Sequence, residues 1–293
     1  MEDRYLIIAD DFTGANDTGV QLRRRGFATE VLFSGKPVGT EHSVVIDTES
    51  RTVHPDHAYE IVSHAVESVD FSGFRYVIKK VDSTMRGNIA AEVKAVDEKF
   101  QPELVVFAPA LPDLGRTTVD GVQCLNGVEI CRTELALDPK NPVVEDNLVR
   151  MLATSYDEKV FLKRLPDVRS RDLSFDEGRI YACDAETNDD LKKILVAAGQ
   201  TGKKVLYIGT AGLADNLMQL ERPSLPAFGV VASVSTVTNR QMKYCEKKGI
   251  RMVQIPMHRI LSGEEDTASY LEQTIESLKD GEDTILLANT SYD

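Results

Sequence analysis

The amino-acid sequence predicts an α/β protein built on a mostly parallel sheet. Two observations carry this prediction. Short runs of β-branched and other apolar residues alternate with amphipathic stretches along almost the whole chain, and this pattern is typical of parallel strands joined by crossover helices. Most of the runs are apolar at nearly every position, as expected for strands that helices cover on both faces.

Eight strands are predicted in the first part of the chain. They span residues 5–9, 29–33, 43–47, 75–81, 104–108, 160–162, 179–183 and 204–208. After the fourth of these strands, one helical stripe carries the apolar positions Ile89, Val93, Val96 and Phe100. That segment is therefore expected to be a helix laid against the sheet, with the polar residues before it at the carboxyl end of a strand.

Two domains are expected, because 293 residues exceed what one core usually fills, and a single large α/β domain is the alternative. Residues 221–229 contain two prolines and a glycine and form the predicted linker. The first domain then covers residues 1–225 and the second covers residues 226–293. The second is predicted as strand 230–233, helix 239–248, strand 252–255, helix 267–278 and strand 284–288. The sequence stops at residues 289–293, where another helix should begin, so this domain is expected to be incomplete.

The composition narrows the class of protein. A formal net charge of −13, from 47 acidic and 34 basic residues, argues against a broad nucleic-acid surface. The N-terminus lacks the pattern of a secretory signal, and no apolar run has membrane-spanning length. The four cysteines and five histidines show no metal-ligand spacing. These features predict a cytoplasmic protein with reduced thiols that binds neither membranes nor nucleic acids, and with no metal site of its own.

The first polar motif follows the first predicted strand, at residues 9–17. Ligands of open α/β sheets bind beyond the carboxyl ends of strands, so Asp10 and Asp11 are placed to hold a polyhydroxylated substrate. Two adjacent carboxylates repel each other unless they are solvated, hydrogen-bonded or metal-bound. The alternative is that Asp11 or Thr13 simply caps the following helix.

The second motif, at residues 79–88, again lies between a strand and a helix. It brings together two lysines, a carboxylate, two hydroxyls and an arginine; its candidate binding residues are Lys80, Asp82, Ser83, Thr84 and Arg86. Such a set is suited to fixing a carboxylate and several hydroxyl groups at once. The alternative is a solvated turn in which Ser83 or Thr84 caps the helix.

Three further motifs are weaker. Residues 48–51 follow another strand and could supply Arg51 to an anion. Residues 108–118 are predicted to be a loop with prolines and a glycine, in which Arg116 either binds a ligand or is solvated. Residues 204–213 form a strand and a glycine-containing turn that could offer N–H groups to a phosphate, but they lack the remaining residues of a P-loop or dinucleotide fingerprint. An ordinary tight turn is the alternative there.

Taken in order, these motifs resemble the four-carbon acid sugar kinase family, which includes kinases of D-threonate, D-erythronate and 3-oxo-tetronate. The resemblance rests on residues 9–17 (ADDFTGAND), 80–87 (KVDSTMRG) and 108–110 (APA) with 115–117 (GRT). It extends to residues 232–241 (ASVSTVTNRQ), which look like the opening of the family's C-terminal nucleotide-binding domain. The family's Gly-Gly-x-Thr-Ala-type phosphate loop has no counterpart before Asp293, so the chain as given is expected to bind substrate with little or no turnover.

The resemblance implies an ATP-dependent kinase that phosphorylates the terminal 4-hydroxyl of a four-carbon sugar acid. The acid would bind the N-terminal domain, ATP would bind largely the C-terminal domain, and Mg²⁺ would bridge the ATP phosphates. Ser233 and Ser235 are the candidates for contact with ATP. The candidates for contact with the acid are Asp10, Asp11, Arg51, Lys80, Asp82, Ser83, Thr84 and Arg86.

Within that set, the cations Arg86, Lys80 and Arg51 are assigned to the acid's carboxylate and hydroxyls. The proton of the 4-hydroxyl is assigned to one of three acids, with Asp82 favoured over Asp11 and Asp10. Two other function classes stay open: a sugar-acid binding or regulatory module without catalysis, and a nicotinamide-dependent oxidoreductase, which would need a full Gly-x-Gly-x-x-Gly. The sequence does not separate the three acids, and it is compatible with a homo-oligomer.

Overall fold

A computed structural model of the chain describes residues 4–33, 36, 38–223 and 226–288. The chain divides into two compact units, Met1–Pro223 and Ser224–Asp293. Residues 224 and 225 of the predicted linker and the segment 289–293 lie outside the described residues. Within the described part of the chain, no helix combines the length and the apolar character needed to cross a membrane.

The first unit contains a parallel sheet that the sequence predicted. Its strands are β1 (Tyr5–Ala9), β2 (Thr29–Phe33), β3 (Ser43–Asp47), β4 (Tyr76–Lys80), β5 (Leu104–Phe107), β6 (Arg116–Val119), β7 (Val122–Leu125), β8 (Val128–Glu129), β9 (Val160–Lys163), β10 (Ile180–Cys183) and β11 (Val205–Gly209). Eight of them form one sheet in the order β2-β3-β1-β4-β11-β5-β10-β9. Every neighbouring pair in it is parallel. All eight predicted strands are confirmed, with ends that differ by at most one residue.

Helices cover both faces of this sheet. They are α1 (Phe12–Arg24), α2 (Pro55–Ala65), α3 (Ile89–Phe100), α4 (Leu148–Ala153), α5 (Leu165–Arg169), α6 (Asn188–Gln200) and α7 (Ala211–Glu221). Short 3-10 helices span Phe71–Gly73, Pro112–Leu114, Ile130–Arg132 and Glu134–Leu137. One apolar core lies between the sheet and α2, α3 and α4, and a second lies between the sheet and α1, α5, α6 and α7. The four apolar positions of the predicted stripe on α3 are all buried, which confirms the stripe.

The first unit also contains a small antiparallel sheet that was not predicted from the sequence. Strands β6, β7 and β8 pair as two successive hairpins, although residues 108–118 were predicted to be a loop. The two connecting turns are Asp120-Gly121 and Asn126-Gly127, and all four residues have positive φ, between 49° and 80°. Asp-Gly and Asn-Gly are the residues that two-residue hairpin turns prefer, so the signal was present in the sequence.

The second unit is a smaller α/β unit. Its strands are β12 (Phe228–Val231), β13 (Arg251–Gln254) and β14 (Thr284–Leu287), and its helices are α8 (Thr236–Lys247), α9 (Met257–Leu261) and α10 (Ala268–Lys279). The three strands form a parallel sheet in the order β12-β14-β13. The predicted alternation of three strands with two helices is confirmed, and α9 is an additional helix that the sequence did not predict.

Candidate functional site

The polar motifs of the first unit meet at one edge of the large sheet. Strand β1 lies between β3 and β4, although the chain passes from β1 to β2 and β3 before it reaches β4. Such a reversal of strand order opens a crevice beyond the carboxyl ends of the strands. The segments that follow these three strands carry Asp10, Arg51 and Asp82.

Arg51 connects the three segments. Its Nε lies 2.7 Å from Asp10 Oδ2, and its Nη2 lies 3.0 Å from Asp10 Oδ1, so this pair is bidentate. The same Nη2 lies 2.8 Å from Asp11 Oδ1, and Nη1 lies 3.7 Å from Asp82 Oδ1. The Arg51 side chain is only 13% exposed. One guanidinium therefore neutralises carboxylates from two different motifs.

Asp11 also begins helix α1. Its Oδ1 accepts a hydrogen bond from the Gly14 N–H at 2.9 Å, and Asp11 is the N-cap residue. The capping role considered from the sequence is therefore observed, together with the contact to Arg51. The carboxylate of Glu49 accepts a hydrogen bond at 3.0 Å from the N–H of Phe12, the first residue of the helix. Two carboxylates thus lie at the N-terminus of α1, where the helix dipole favours negative charge.

Asp82 is held by its own motif. Arg86 donates from Nε to Oδ2 and from Nη2 to Oδ1, each at 2.9 Å. Thr84 donates to Oδ2 from its backbone N–H at 3.1 Å and from its hydroxyl. Burial raises the pKa of Asp82, but the hydrogen bonds from Arg86 and Thr84 and the charge of Arg51 lower it more strongly, so the pKa lies below its ordinary value. Asp82 is therefore a carboxylate at neutral pH.

The turn that carries Arg86 has an unusual backbone. Met85 has a φ of 64° although it is not a glycine, and Gly87 has a φ of 94°. A Cβ atom on Gly87 would lie 2.9 Å from Cγ of Arg51. Only glycine satisfies both the positive φ and this close approach. Gly87 thus allows the second motif to pack directly on the loop that carries Arg51.

Lys80 lies on the α1 side of the same edge. Its Nζ donates to the Val81 carbonyl at 2.9 Å, and a Cβ atom on Gly14 would lie 2.9 Å from that Nζ. Burial lowers the pKa of Lys80, and the site carboxylates offset part of this effect. Lys80 is buried, so its positive charge acts on the site from the protein interior and not from the solvent-exposed surface.

A groove of about 580 Å³ borders the cluster. Its lining includes Arg51, Met85, Gly87, Asn88 and the first turn of α3. The Asn88 side chain does not cap α3 but donates to the carbonyls of Ser50 and Val53, at 3.0 and 2.8 Å. The groove therefore offers backbone N–H groups of a helix start beside the guanidinium of Arg51.

The structure thus brings together most of the acid-binding residues expected from the sequence. Asp10, Asp11, Arg51, Lys80, Asp82, Thr84 and Arg86 share one cluster, and Ser83 is half-buried in the same turn. Their charges balance, since three carboxylates face three cations. Arg51 and Arg86 already pair with carboxylates, and Lys80 already donates to a backbone carbonyl, so a bound acid has to share these cations. Whether these residues bind a substrate stays a prediction.

The remaining motifs lie apart from this cluster. Arg116 donates to the Leu114 carbonyl in its own loop. Thr210 caps α7 and donates to the Ala110 carbonyl at 3.0 Å, and a Cβ atom on Gly212 would lie 2.6 Å from that oxygen. The glycine turn after β11 thus packs closely against the chain, which favours the reading as an ordinary tight turn.

The two serines expected to contact ATP lie in the second unit. Ser235 caps α8 by accepting from the Thr238 N–H at 3.1 Å. Ser233 accepts from the Ser235 N–H at 3.3 Å. Both serines are exposed. Across the described residues, no three His, Cys, Asp or Glu side chains are grouped so that they could hold a metal ion.

Sequence reasoning missed a buried polar network beneath the cluster. Lys79 Nζ lies 2.8 Å from Glu92 Oε2, with side chains 0% and 1% exposed. Glu92 Oε1 accepts from the Ser50 hydroxyl at 2.8 Å, and the Ser50 and Thr48 hydroxyls lie 2.8 Å apart. Thr48 in turn donates to the Ala9 carbonyl at 2.7 Å. The signal was a charge at position 92, within the apolar stripe of α3, and a lysine in the otherwise apolar strand β4.

Comparisons with known proteins agree with the fold and the motifs. Residues 5–217 match the family described as "Sugar-binding N-terminal domain". The chain is 39% identical to a D-threonate kinase of Salmonella typhimurium, over 97% of the chain and 71% of that protein. It is 32% identical to a D-erythronate kinase of Heliobacterium modesticaldum, over 82% of the chain and 60% of that protein.

Solved structures show the same fold. A protein of Haemophilus influenzae superposes with a TM-score of 0.64 at 22% identity, covering 98% of this chain and 76% of that one. A domain of unknown function from Bordetella bronchiseptica is described as a domain-swapped dimer with bound citrate. It superposes with a TM-score of 0.62 at 25% identity, covering 99% of this chain and 75% of that one.

Fold and sequence together define an α/β protein of the family described as "Sugar-binding N-terminal domain". The chain belongs to the four-carbon acid sugar kinase family, whose named members are phosphotransferases. The resemblance noted in the motifs is confirmed by these matches. The chain spans 71% of the length of the Salmonella D-threonate kinase and 60% of the length of the Heliobacterium D-erythronate kinase.

Proposed function

We propose that the protein is an ATP-dependent kinase that phosphorylates the terminal 4-hydroxyl of a four-carbon sugar acid, and that the acid binds the cluster at the carboxyl edge of β1, β3 and β4. The observation that carries the proposal is that Asp10 and Asp82 both contact the Arg51 guanidinium, at the edge of the sheet where α/β proteins bind ligands. The citrate bound to the Bordetella relative supports the choice of a small hydroxy acid.

Arg86 is the best candidate for binding the acid's carboxylate. Its side chain is 31% exposed, against 13% for Arg51, and Lys80 is buried. Two of the three guanidinium nitrogens of Arg86, Nε and Nη2, bond to Asp82, while Nη1 lies 4.0 Å from Asp138. The outer N–H groups of the guanidinium can therefore donate to a substrate carboxylate while Arg86 keeps its pair with Asp82.

Asp11 is the better candidate for accepting the proton of the 4-hydroxyl. The sequence favoured Asp82, but that carboxylate already accepts hydrogen bonds from Arg86 and Thr84, and its lowered pKa makes it a weak base. Asp11 is the most exposed of the three acids, with 21% of its side chain accessible. Asp10 and Asp82 then act as hydrogen-bond acceptors that fix the guanidinium groups of Arg51 and Arg86.

The phosphoryl donor is assigned to the second unit. ATP contact is proposed for Ser233 and Ser235, which lie where β12 leads into α8, a strand-to-helix junction of the kind that holds phosphates. Mg²⁺ would be held chiefly by the ATP phosphates, as is usual for this ion. Since phosphoryl transfer depends mainly on positioning and charge neutralisation, the described cluster would contribute the position of the acceptor hydroxyl.

Binding and turnover should be measured separately. We expect D-threonate, D-erythronate or 3-oxo-tetronate to bind the protein in a calorimetric titration. In the presence of ATP and Mg²⁺, an acid that stimulates ADP formation, beside a 4-deoxy analogue that binds without doing so, would identify the 4-hydroxyl as the phosphorylated group. Binding with no ADP formation is compatible both with the low turnover expected of the chain as given and with the non-catalytic acid-binding module. Failure of all three acids to bind would contradict the proposal.

Location and assembly complete the proposal. We place the reaction in the cytoplasm, where ATP is available as phosphoryl donor. A homo-oligomer is also proposed, because the Bordetella relative is described as a dimer. Light scattering on the purified protein should give a mass above the 32.4 kDa of one chain, and a monomer at all concentrations would exclude it.

A further inference from the structure

The buried network beneath the cluster touches every segment that forms the site. Its members immediately precede site residues, with Ala9 before Asp10, Ser50 before Arg51 and Lys79 before Lys80. Lys79 Nζ also donates to the Lys80 carbonyl at 3.0 Å. Glu92 is the one member that comes from a helix, and its two oxygens contact Lys79 and Ser50 separately. It therefore joins the loop after β3 to strand β4.

Stability alone is a poor reason for this arrangement. Removing two charges from water costs several kcal/mol per ion, and well-packed apolar residues of similar volume are often equally or more stabilising. Most other buried positions of α3 are apolar, with Ile89, Val93 and Val96 packed in the core, and Asp97 is the other buried charge. A leucine at position 92 and a methionine at position 79 would suit the same core. The ion pair and its hydroxyl partners must then contribute something that apolar residues cannot.

We propose that Glu92, with Lys79 as its counter-ion, is a positioning residue for the sugar-acid site. Through the Ser50 hydroxyl it fixes the loop after β3, and thereby the Arg51 guanidinium between Asp10, Asp11 and Asp82. This inference rests on the proposed function. Glu92 touches no substrate in this account, and its effect on acid binding is transmitted by Ser50 and Arg51.

The decisive variant replaces the ion pair with apolar residues. Lys79→Met/Glu92→Leu should retain a urea midpoint close to that of the unsubstituted protein, because no unpaired charge is buried. Acid affinity should nevertheless fall about 10-fold or more, by analogy with the loss of metal affinity when residues that orient metal ligands are removed. Ser50→Ala should weaken binding in the same direction, because it breaks the link while leaving the ion pair in place.

A matched control lies at the other end of the same helix. Asp97 is also buried and pairs with Arg179 at 2.7 Å, but Arg179 directly precedes β10 and so lies at the amino edge of the sheet, opposite the carboxyl edge that carries the site. Asp97→Asn should lower stability and leave the acid dissociation constant unchanged. If Asp97→Asn weakens binding as much as Ser50→Ala does, the effect is a general loss of stability and the positioning role is wrong.

A second readout tests positioning without any ligand. The Nε–H of Arg51 donates to Asp10, so its NMR signal, assigned with an Arg51→Lys variant, should exchange slowly with water. We expect faster exchange or a shifted signal in Lys79→Met/Glu92→Leu and in Ser50→Ala, but not in Asp97→Asn. An unchanged Arg51 signal in the folded double variant would overturn the inference. Absence of acid binding by the unsubstituted protein would instead contradict the proposed function, and the NMR comparison would still decide the role of Glu92.

Discussion

Replacing Arg51 by methionine should destabilise the first unit strongly. Methionine has a similar length but no charge, so it leaves Asp10 and Asp82 without the guanidinium that lies 2.7 and 3.7 Å away. Removing one partner of a buried ion pair costs about 3–5 kcal/mol, because the remaining charge is uncompensated. Domains of this kind have a total stability of only about 5–15 kcal/mol. The substitution should therefore remove a large share of it.

The assay is urea unfolding followed by far-ultraviolet circular dichroism, since the chain contains no tryptophan. With a denaturant dependence of about 2–3 kcal/mol per molar urea, the midpoint should fall by roughly 1–2 M. Adding Asp10→Asn to Arg51→Met should recover part of the loss, because a neutral amide needs no counter-ion.

An exposed arginine provides the control. Arg150 also forms a bidentate pair, with both nitrogens 2.8 Å from Glu145, but its side chain is 66% exposed. Arg150→Met should cost less than about 1 kcal/mol, as exposed pairs do. If Arg51→Met and Arg150→Met shift the midpoint equally, the carboxylates around Arg51 are solvated and the reasoning about a buried charge cluster is refuted.

Three further predictions follow from the same contacts. The pKa of Asp82 lies below its ordinary value, so its contribution to stability is present above about pH 4 and is lost at lower pH; Asp82→Asn should flatten the fall in stability between pH 5 and 3. Burial raises the pKa of Asp47 to about 6, so stability is lost as the pH rises from about 4 to about 6 and stays lower above that; Asp47→Asn should stabilise the protein more at pH 8 than at pH 4, and an equal effect at both would contradict this. Gly87→Ala should destabilise the protein by more than about 1 kcal/mol in urea unfolding, because φ is 94° and the added methyl would meet Arg51.

Much of the fold could be predicted because its signals are local. The strands of the large sheet are apolar on both faces, and the stripe on α3 has the period of a helix, so their pattern alone identifies them. The hairpins at residues 116–129 were missed because their strands are short and polar, although Asp120-Gly121 and Asn126-Gly127 marked both turns. The helix α9, with five residues and an N-cap proline, is too short for its periodicity to stand out.

The sequence could predict which segments form the site, but not how their side chains pair. Because parallel strands end at the same edge of a sheet, Asp10, Arg51 and Asp82 could be expected near one another. Which charge pairs with which depends on side-chain geometry, and this is why the bidentate pair of Arg86 with Asp82 and the capping role of Asp11 required the structure. The contact between Lys79 and Glu92 joins a strand to a helix, and no local pattern specifies such a pairing.

The most direct test of the central claim is calorimetric titration of a four-carbon sugar acid into the folded protein and its Arg86→Ala variant. Removing a charged hydrogen-bonding partner from a largely desolvated site costs about 2–5 kcal/mol, so Arg86→Ala should weaken binding by about 30-fold or more. Arg86→Lys should restore only part of the affinity, because lysine lacks the planar fork, and Arg150→Ala should change nothing. An unchanged dissociation constant for Arg86→Ala would mean that the acid does not bind the cluster at the edge of β1, β3 and β4.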